Sequence, residues 1–167
     1  MQTGHDARNL VEGANGRTTE LLMAIFLAGV AGEVVLEAIA WFVAPSILGV
    51  PMRPFLLVED LGRQLFGATI PTELSVTVHL LLGAVVMPLG YVGLKRWSGW
   101  TSWLWASSVW GIILWLIAQA VLAPLAGRPF FLGFGAYSWA SLVVHVVYAI
   151  VVGYVLNDLK TRFRTRP

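Results

Sequence analysis

The chain has 167 residues, of which 57% are hydrophobic and 12% are charged, with a formal net charge of +2, and this composition excludes an ordinary soluble domain. It contains no cysteine, which excludes disulfides, thiolate metal sites and redox cysteines. No dinucleotide-binding motif or phosphate-binding glycine loop is present, and the basic residues cluster near the chain ends, so we predict neither a nucleotide-dependent enzyme nor a nucleic-acid partner.

Four apolar runs divide the chain, each close to the twenty residues that an α-helix needs to cross a bilayer core. They cover residues 21–43, 74–94, 101–123 and 136–157. The runs predict a single all-α domain, an up-down bundle of four transmembrane helices in the lipid bilayer. Little of the chain lies outside these runs, which leaves no room for a soluble catalytic domain.

The first predicted helix contains two glutamates, Glu33 and Glu37, which are four residues apart and therefore share one face. A charged carboxylate inside a bilayer is costly, so we expect both side chains to face the bundle rather than lipid. At the helical rise, Glu37 lies about 12 Å below the outer interface and Glu33 lies one turn deeper.

The connection after this helix has apolar residues at about helical spacing, namely Phe55, Val58, Leu61, Leu65 and Phe66. This spacing predicts a short amphipathic helix within residues 52–67, lying on the outer surface. The corresponding connection between helices 3 and 4 is shorter and has no such segment.

The two halves of the chain are similar to each other. Helices 1 and 3 both end in Ala-Pro, at Pro45 and Pro124, followed by a glycine and a second proline. The next helices each carry a serine and a histidine four residues apart, which are Ser75 with His79 and Ser141 with His145. The pattern is compatible with tandem duplication of a helical hairpin, which would make helices 2 and 4 parallel.

In that arrangement, His79 and His145 lie roughly 10 and 14 Å below the outer interface, level to within about one turn and close to the depth of Glu37. Both lie on stripes of small or polar residues, which favours contact with protein rather than lipid. Because helices 2 and 4 are diagonal in an up-down bundle, we predict that the two imidazoles face each other across the core.

The positive charges are distributed unevenly between the two sides of the bundle. Eight of the eleven Lys and Arg residues lie before helix 1, between helices 2 and 3, or after helix 4, namely Arg8, Arg17, Lys95, Arg96, Lys160, Arg162, Arg164 and Arg166. By the positive-inside rule, both termini are predicted to be cytoplasmic.

Several roles are open for the buried polar residues. They can hydrogen-bond across helices and stabilise the bundle without any ligand. His79 and His145 can be the axial ligands of one b-type haem. A non-haem metal can instead be held by His79, His145, Glu37 and Glu33, since imidazole and carboxylate suit Fe, Zn, Mn or Cu. A proton relay and a contact with a quinone are further alternatives.

The two level histidines in a four-helix span resemble the haem-ligating arrangement of small b-type cytochromes, and the whole-chain pattern resembles uncharacterised four-helix bacterial membrane proteins. The first resemblance implies His79 and His145 as axial ligands. Since the remaining histidine, His5, lies in the polar N-terminal segment, at most one bis-histidine haem is expected. The second resemblance implies a bacterial inner membrane.

These observations favour a membrane binding or electron-transfer module centred on His79, His145 and Glu37, acting as a subunit of a larger membrane complex. One alternative is a structural or assembly subunit that binds no cofactor. Another is a small proton-coupled transporter, in which Glu33 and Glu37 carry the proton.

Overall fold

The computed structural model describes residues 3–164, with side chains described for residue 16 and residues 18–162. All regular structure in this part of the chain is helical. The main helices are α1, which begins at Thr3 and ends at Leu48, α2 (Leu56–Phe66), α3 (Thr72–Ser98), α4 (Trp103–Leu125) and α5 (Ala136–Arg164). The predicted all-α fold is therefore confirmed.

Four segments of these helices are long and apolar enough to cross a membrane, namely Thr18–Leu48, Thr72–Ser98, Trp103–Leu125 and Ala136–Arg162. Three of them are longer than the apolar run that predicts them, because polar residues at the ends continue the helical hydrogen bonding, and Trp103–Leu125 has the same length as its run, 23 residues, shifted by two. The orientation of the termini stays a prediction. The side chains of five residues considered above lie outside the described part of the chain, namely His5, Arg8, Arg17, Arg164 and Arg166.

Three of the four spanning helices widen into a π-helical turn, and in each a proline follows two residues after the turn. The turns are Ile39–Val43, Leu82–Val86 and Ile117–Leu122, and the prolines are Pro45, Pro88 and Pro124. Proline has no amide hydrogen and its ring clashes with the preceding turn of helix, so the backbone widens there. The helix α5 contains no proline and runs without interruption.

Two of the carbonyls that these prolines leave without a helical donor find partners elsewhere. The Met52 amide donates to the Ala40 carbonyl at 3.0 Å, and the buried Tyr148 hydroxyl donates to the Gly83 carbonyl at 2.5 Å. A buried carbonyl needs such a partner. The π turns thereby connect α1 to the loop before α2, and α3 to α5.

The helix α5 lies at the centre of the packing, with α1 on one side and α4 on the other, while α3 packs against α1. Glycines allow the closest approaches. A Cβ at Gly111 of α4 would overlap the α5 backbone at Val146, and one at Gly32 of α1 would overlap the Tyr148 ring. Large apolar side chains such as Phe42 are exposed along the helices, as expected for a surface that faces lipid.

One end of the bundle, which the distribution of Lys and Arg predicts to face outward and which we call the outer end, is covered by α2, the amphipathic helix predicted within residues 52–67. Polar contacts with two other segments of the chain hold α2 in place. The Asp60 carboxylate pairs with Arg128, 2.6 Å from the guanidinium, and the Thr72 hydroxyl donates to Glu59 at 2.9 Å. These contacts fix α2 against the loop after α4 and the start of α3.

That loop contains a short left-handed turn. Phe131, Leu132 and Phe134 have φ of 49°, 49° and 57°, a conformation that costs roughly 1–2 kcal/mol per non-glycine residue. Aromatic packing offsets this cost, since the Phe131 ring lies 4.9 Å from the Trp115 ring, centre to centre, and 5.1 Å from that of Phe134. The turn places Leu132 against the interior of the bundle.

Candidate functional site

The carboxylate of Glu33 lies deep in the interface between α1 and α3, with only 4% of the residue exposed. It fits there because Gly83 has no side chain. A Cβ at Gly83 would overlap the Glu33 carboxylate. Gly83 lies one helical turn after His79, so this spacing on α3 sets the imidazole beside the space that the carboxylate occupies.

Glu37 lies one turn further out on α1, and its side chain is 26% exposed. The Trp41 indole, one turn later on the same helix, donates to its Oε2 at 2.8 Å. The Arg53 guanidinium in turn lies 6.0 Å from the centre of the Trp41 ring, within cation–π range. One carboxylate oxygen of Glu37 is therefore held from the outer side, and Oε1 lies closest to His79.

These side chains converge into one cluster, defined by Glu33, Glu37 and His79. The His79 Nε2 lies 3.4 Å from Glu37 Oε1 and 3.7 Å from Glu33 Oε2, and one ligand atom from each residue lies within 4.8 Å of the other two. Both Glu33 oxygens and the His79 Nε2 are buried, and they make no hydrogen bond with any described residue. An unsatisfied buried polar group costs about 1–3 kcal/mol, so these atoms are expected to bind a proton, a water molecule or a metal ion.

The cluster has donor types that metal ions bind. Nitrogen and oxygen ligands that lie about 2.0–2.2 Å from one ion are roughly 3–3.6 Å apart from each other. The two separations from His79 Nε2, 3.4 and 3.7 Å, are close to this range, and the ligand oxygens of Glu33 and Glu37 lie within 4.8 Å of each other. One imidazole and two carboxylates suit Fe²⁺, Mn²⁺ or Zn²⁺. Three protein ligands leave coordination positions open, which is typical of metal sites that also bind an exchangeable ligand.

His145 lies outside this cluster. Its Nδ1 is 2.7 Å from the Ser141 carbonyl oxygen and 3.3 Å from the Ser141 hydroxyl, and the Gln119 amide donates to that hydroxyl at 3.2 Å. The short contact with the carbonyl assigns the ring hydrogen to Nδ1, which leaves Nε2 with a lone pair. The ring is thereby oriented from within its own helix.

His79 and His145 both line a cavity of about 160 Å³. Its wall contains His79 of α3, Gln119 of α4 and His145 of α5, together with apolar side chains such as Leu114. Residues of α2, among them Val58, form its outer side. We refer to this space as the inner cavity.

The haem prediction requires both Nε2 atoms for one iron, and space for a porphyrin. The His79 Nε2 lies instead between the carboxylates of Glu33 and Glu37, and the inner cavity is smaller than the roughly 300–1,000 Å³ of sites for drug-sized ligands. The residues present therefore fit a metal ion better than a porphyrin. Haem ligation by His79 and His145 stays a prediction.

A second pocket, of about 260 Å³, lies between the inner cavity and the outer surface, and we call it the outer vestibule. Arg53 contributes to its wall, and it shares Arg128, Leu132 and Tyr137 with the inner cavity. The Arg53 amide donates to the Tyr137 hydroxyl at 3.3 Å. The outer vestibule and the inner cavity are therefore neighbours, with these three side chains between them.

Sequence reasoning identifies Glu33, Glu37 and His79, and it places Gly83 on the stripe of small residues that also carries His79. It misses Trp41 as the partner of Glu37, for which the signal is the spacing of four residues between the two. That Gly83 accommodates Glu33 is recognisable only once the helices that face each other are known.

Comparison of this chain with known protein families, with curated proteins and with solved structures finds no match. The resemblances to small b-type cytochromes and to four-helix bacterial membrane proteins stay predictions. The site is therefore described from its own side chains.

Proposed function

We propose that this chain binds one divalent transition-metal ion inside its membrane-spanning bundle, held by Glu33, Glu37 and His79. The convergence of three ligand atoms from two helices carries the proposal. The burial of the Glu33 oxygens and His79 Nε2 without hydrogen-bond partners among the described residues supports it, since a metal ion would satisfy all of them at once.

The charges of the cluster also support a dication. Two carboxylates within an apolar bundle repel each other, and a charge in such surroundings is costly unless it is paired. A divalent ion would neutralise both carboxylates and leave the site with no net charge. A single imidazolium could balance only one of the two.

The function that we infer from such a site is binding or electron transfer within a larger membrane complex. A bound iron or manganese ion would supply one-electron chemistry inside the bilayer. The residues of this chain would hold the ion and orient Glu37 through Trp41.

The metal content of the purified protein tests this proposal. We expect about one Fe, Mn or Zn ion per chain, measured by inductively coupled plasma mass spectrometry after expression with all three metals. Glu33→Gln, Glu37→Gln and His79→Asn should each lower the content at least roughly tenfold, because each removes a ligand. Glu73→Gln is the matched control, since Glu73 is an exposed carboxylate at the start of α3.

Two further results separate the metal ion from the alternatives. His145→Asn should leave the metal content unchanged, whereas it would remove a bis-histidine haem and its Soret absorption. A wild-type protein that retains no metal under any of these conditions would contradict the proposal and favour a structural bundle. Proton-coupled transport would appear as a flux in vesicles that Glu33→Gln abolishes without any change in bound metal.

A further inference from the structure

The inner cavity has the size of a single aromatic ring. Its volume is about 160 Å³, and an engineered apolar cavity of roughly 150 Å³ in another protein binds benzene. Leu36, Leu114 and Val144 form part of its apolar wall. These side chains provide the surroundings that an apolar ring prefers.

One part of the wall is polar, and two of its side chains, Gln119 and His145, have an unused hydrogen-bond acceptor. The His145 ring donates through Nδ1 to the Ser141 carbonyl, so its Nε2 can only accept. The Gln119 amide nitrogen donates to the Ser141 hydroxyl, and its Oε1 is buried without a hydrogen-bond partner among the described residues. The wall thus presents two acceptors, from α4 and α5.

The backbone adds a third acceptor at the same residue. In the π turn of α4, the Ala123 amide donates to the Ala118 carbonyl, and residue 124 is a proline. The Gln119 carbonyl therefore loses its helical donor, as the Ala40 and Gly83 carbonyls do in the other two turns. No loop amide or side chain in the described residues donates to it, whereas those two carbonyls each have such a partner.

We propose that the inner cavity binds a phenol-type ring, a hydroquinone or a phenol, in which each hydroxyl donates its one hydrogen to either His145 Nε2 or an acceptor of Gln119. A quinone has nearly the same shape, but its oxygens carry no hydrogen and can use none of these acceptors. The site does not require a metal ion, because neither His145 nor Gln119 belongs to the cluster of Glu33, Glu37 and His79, although His79 also lines the inner cavity.

Three ring compounds of similar size test the proposal on the wild-type protein in lipid nanodiscs, with binding to empty nanodiscs subtracted. Durenol carries one hydroxyl, durene carries none, and duroquinone carries two acceptor oxygens. By titration calorimetry, we expect saturable binding of durenol, at least about threefold to tenfold tighter than that of either other compound, because the other two lack its one donated hydrogen bond. Equal binding of durene or duroquinone would overturn the proposal, as would an absence of saturable durenol binding.

Variants locate the binding to this cavity. His145→Leu and Gln119→Met each remove one side-chain acceptor at similar volume. The variant that loses the acceptor used by the durenol hydroxyl should weaken durenol binding about threefold to tenfold while leaving durene binding unchanged. Val144→Phe and Ala118→Leu fill the cavity and should weaken all three ligands. If one variant of a pair does not fold, as judged by its tryptophan fluorescence, the other decides. Durenol binding that is unchanged in folded variants of both pairs would also overturn the proposal.

A single variant separates this inference from the metal proposal. Glu33→Gln should lose the metal ion and keep its affinity for durenol, since Glu33 does not line the inner cavity. Loss of durenol binding in Glu33→Gln, with thermal stability unchanged, would contradict the independence of the two sites. Metal content and durenol affinity are measured separately, so either proposal can fail while the other holds.

Discussion

A missing side chain at Gly83 determines where the Glu33 carboxylate can lie. The two helices α1 and α3 approach each other closely at this point, and the carboxylate fills the space that a Cβ would take. This small clearance sets the distance between Glu33 and His79, 3.7 Å from oxygen to Nε2. The geometry of the proposed metal site therefore depends on a residue that does not touch the ion.

We expect Gly83→Ala to displace the Glu33 carboxylate and to lower both metal content and stability. Overpacking of a closely packed interior costs about 1–3 kcal/mol, and the displaced ligand should reduce the metal content about tenfold. Gly93→Ala, on the same helix, is the matched control, because a Cβ at Gly93 would meet nothing within 4 Å and alanine favours a helix. Metal analysis and thermal unfolding followed by tryptophan fluorescence measure the two effects, and a Gly83→Ala protein with full metal content would show that the clearance is unimportant.

For individual residues, the sequence predicts the face that Glu33 and Glu37 share, because helix periodicity fixes side-chain directions within one helix. It does not fix the rotation of one helix relative to another. Hence it groups His145 with His79 and the glutamates, whereas the structure places only His79 beside them. The His145 ring donates to the Ser141 carbonyl within α5 itself. The spacing of four residues between His145 and Ser141 is enough to anticipate this hydrogen bond.

Among the helices, α2 is the element that closes the inner cavity from the outside, and an ion pair connects it to the loop after α4. Two nitrogens of Arg128 contact Asp60 Oδ2, at 2.6 and 2.8 Å, whereas the 3.2 Å contact of Asp60 Oδ1 with Arg63 lies within α2 itself. Of these two ion pairs, only the first connects α2 to the rest of the bundle. Hydrogen bonds between two charged groups are stronger than those between neutral groups.

We expect Asp60→Asn to loosen α2, and Arg63→Gln to have little effect. Loss of the connecting pair should increase the rate of amide hydrogen exchange across Leu56–Phe66 about tenfold, because hydrogen bonds to charged groups contribute about 1.5–3 kcal/mol. Hydrogen exchange followed by mass spectrometry, with the protein in nanodiscs, measures the change. Equal protection of α2 in both variants and in the wild type would show that apolar packing alone holds this helix.

The sequence predicts all five helices, and it misses their π turns. Apolar runs and amphipathic spacing identify helices, since burial of one face is a property of the pattern itself. A proline shows only that a helical hydrogen bond is lost at that point. Whether the helix kinks, ends or widens depends on partners such as Met52 and Tyr148, which the local sequence does not predict. The tandem duplication stays a prediction, although α1 and α4 share a π turn just before Ala-Pro.

For the whole molecule, the distribution of Lys and Arg predicts an orientation in the membrane that the fold makes easy to test. The chain has no cysteine, so a single introduced cysteine reports on one site only. Phe66, at the end of α2, is 78% exposed, and Trp97, at the end of α3, is 87% exposed. These two residues lie at opposite ends of the bundle.

In intact bacterial cells, we expect a membrane-impermeant maleimide to label Phe66→Cys and to leave Trp97→Cys unlabelled until the membrane is permeabilised. Both termini would then be cytoplasmic, as the positive-inside rule predicts. Labelling of both variants after permeabilisation is the control for reactivity. The reverse pattern in intact cells would invert the predicted topology and place the outer vestibule on the cytoplasmic side.

The uninterrupted hydrogen bonding of α5 has a consequence for how the bundle deforms. Each of the other three spanning helices contains one π turn at which a proline interrupts the helical hydrogen bonding, and bending is easiest there. A ligand that enters the interior would therefore bend α1, α3 and α4 at their π turns while α5 stays straight. His145, on α5, would keep its position. Glu33, Glu37 and His79 lie on helices that would move.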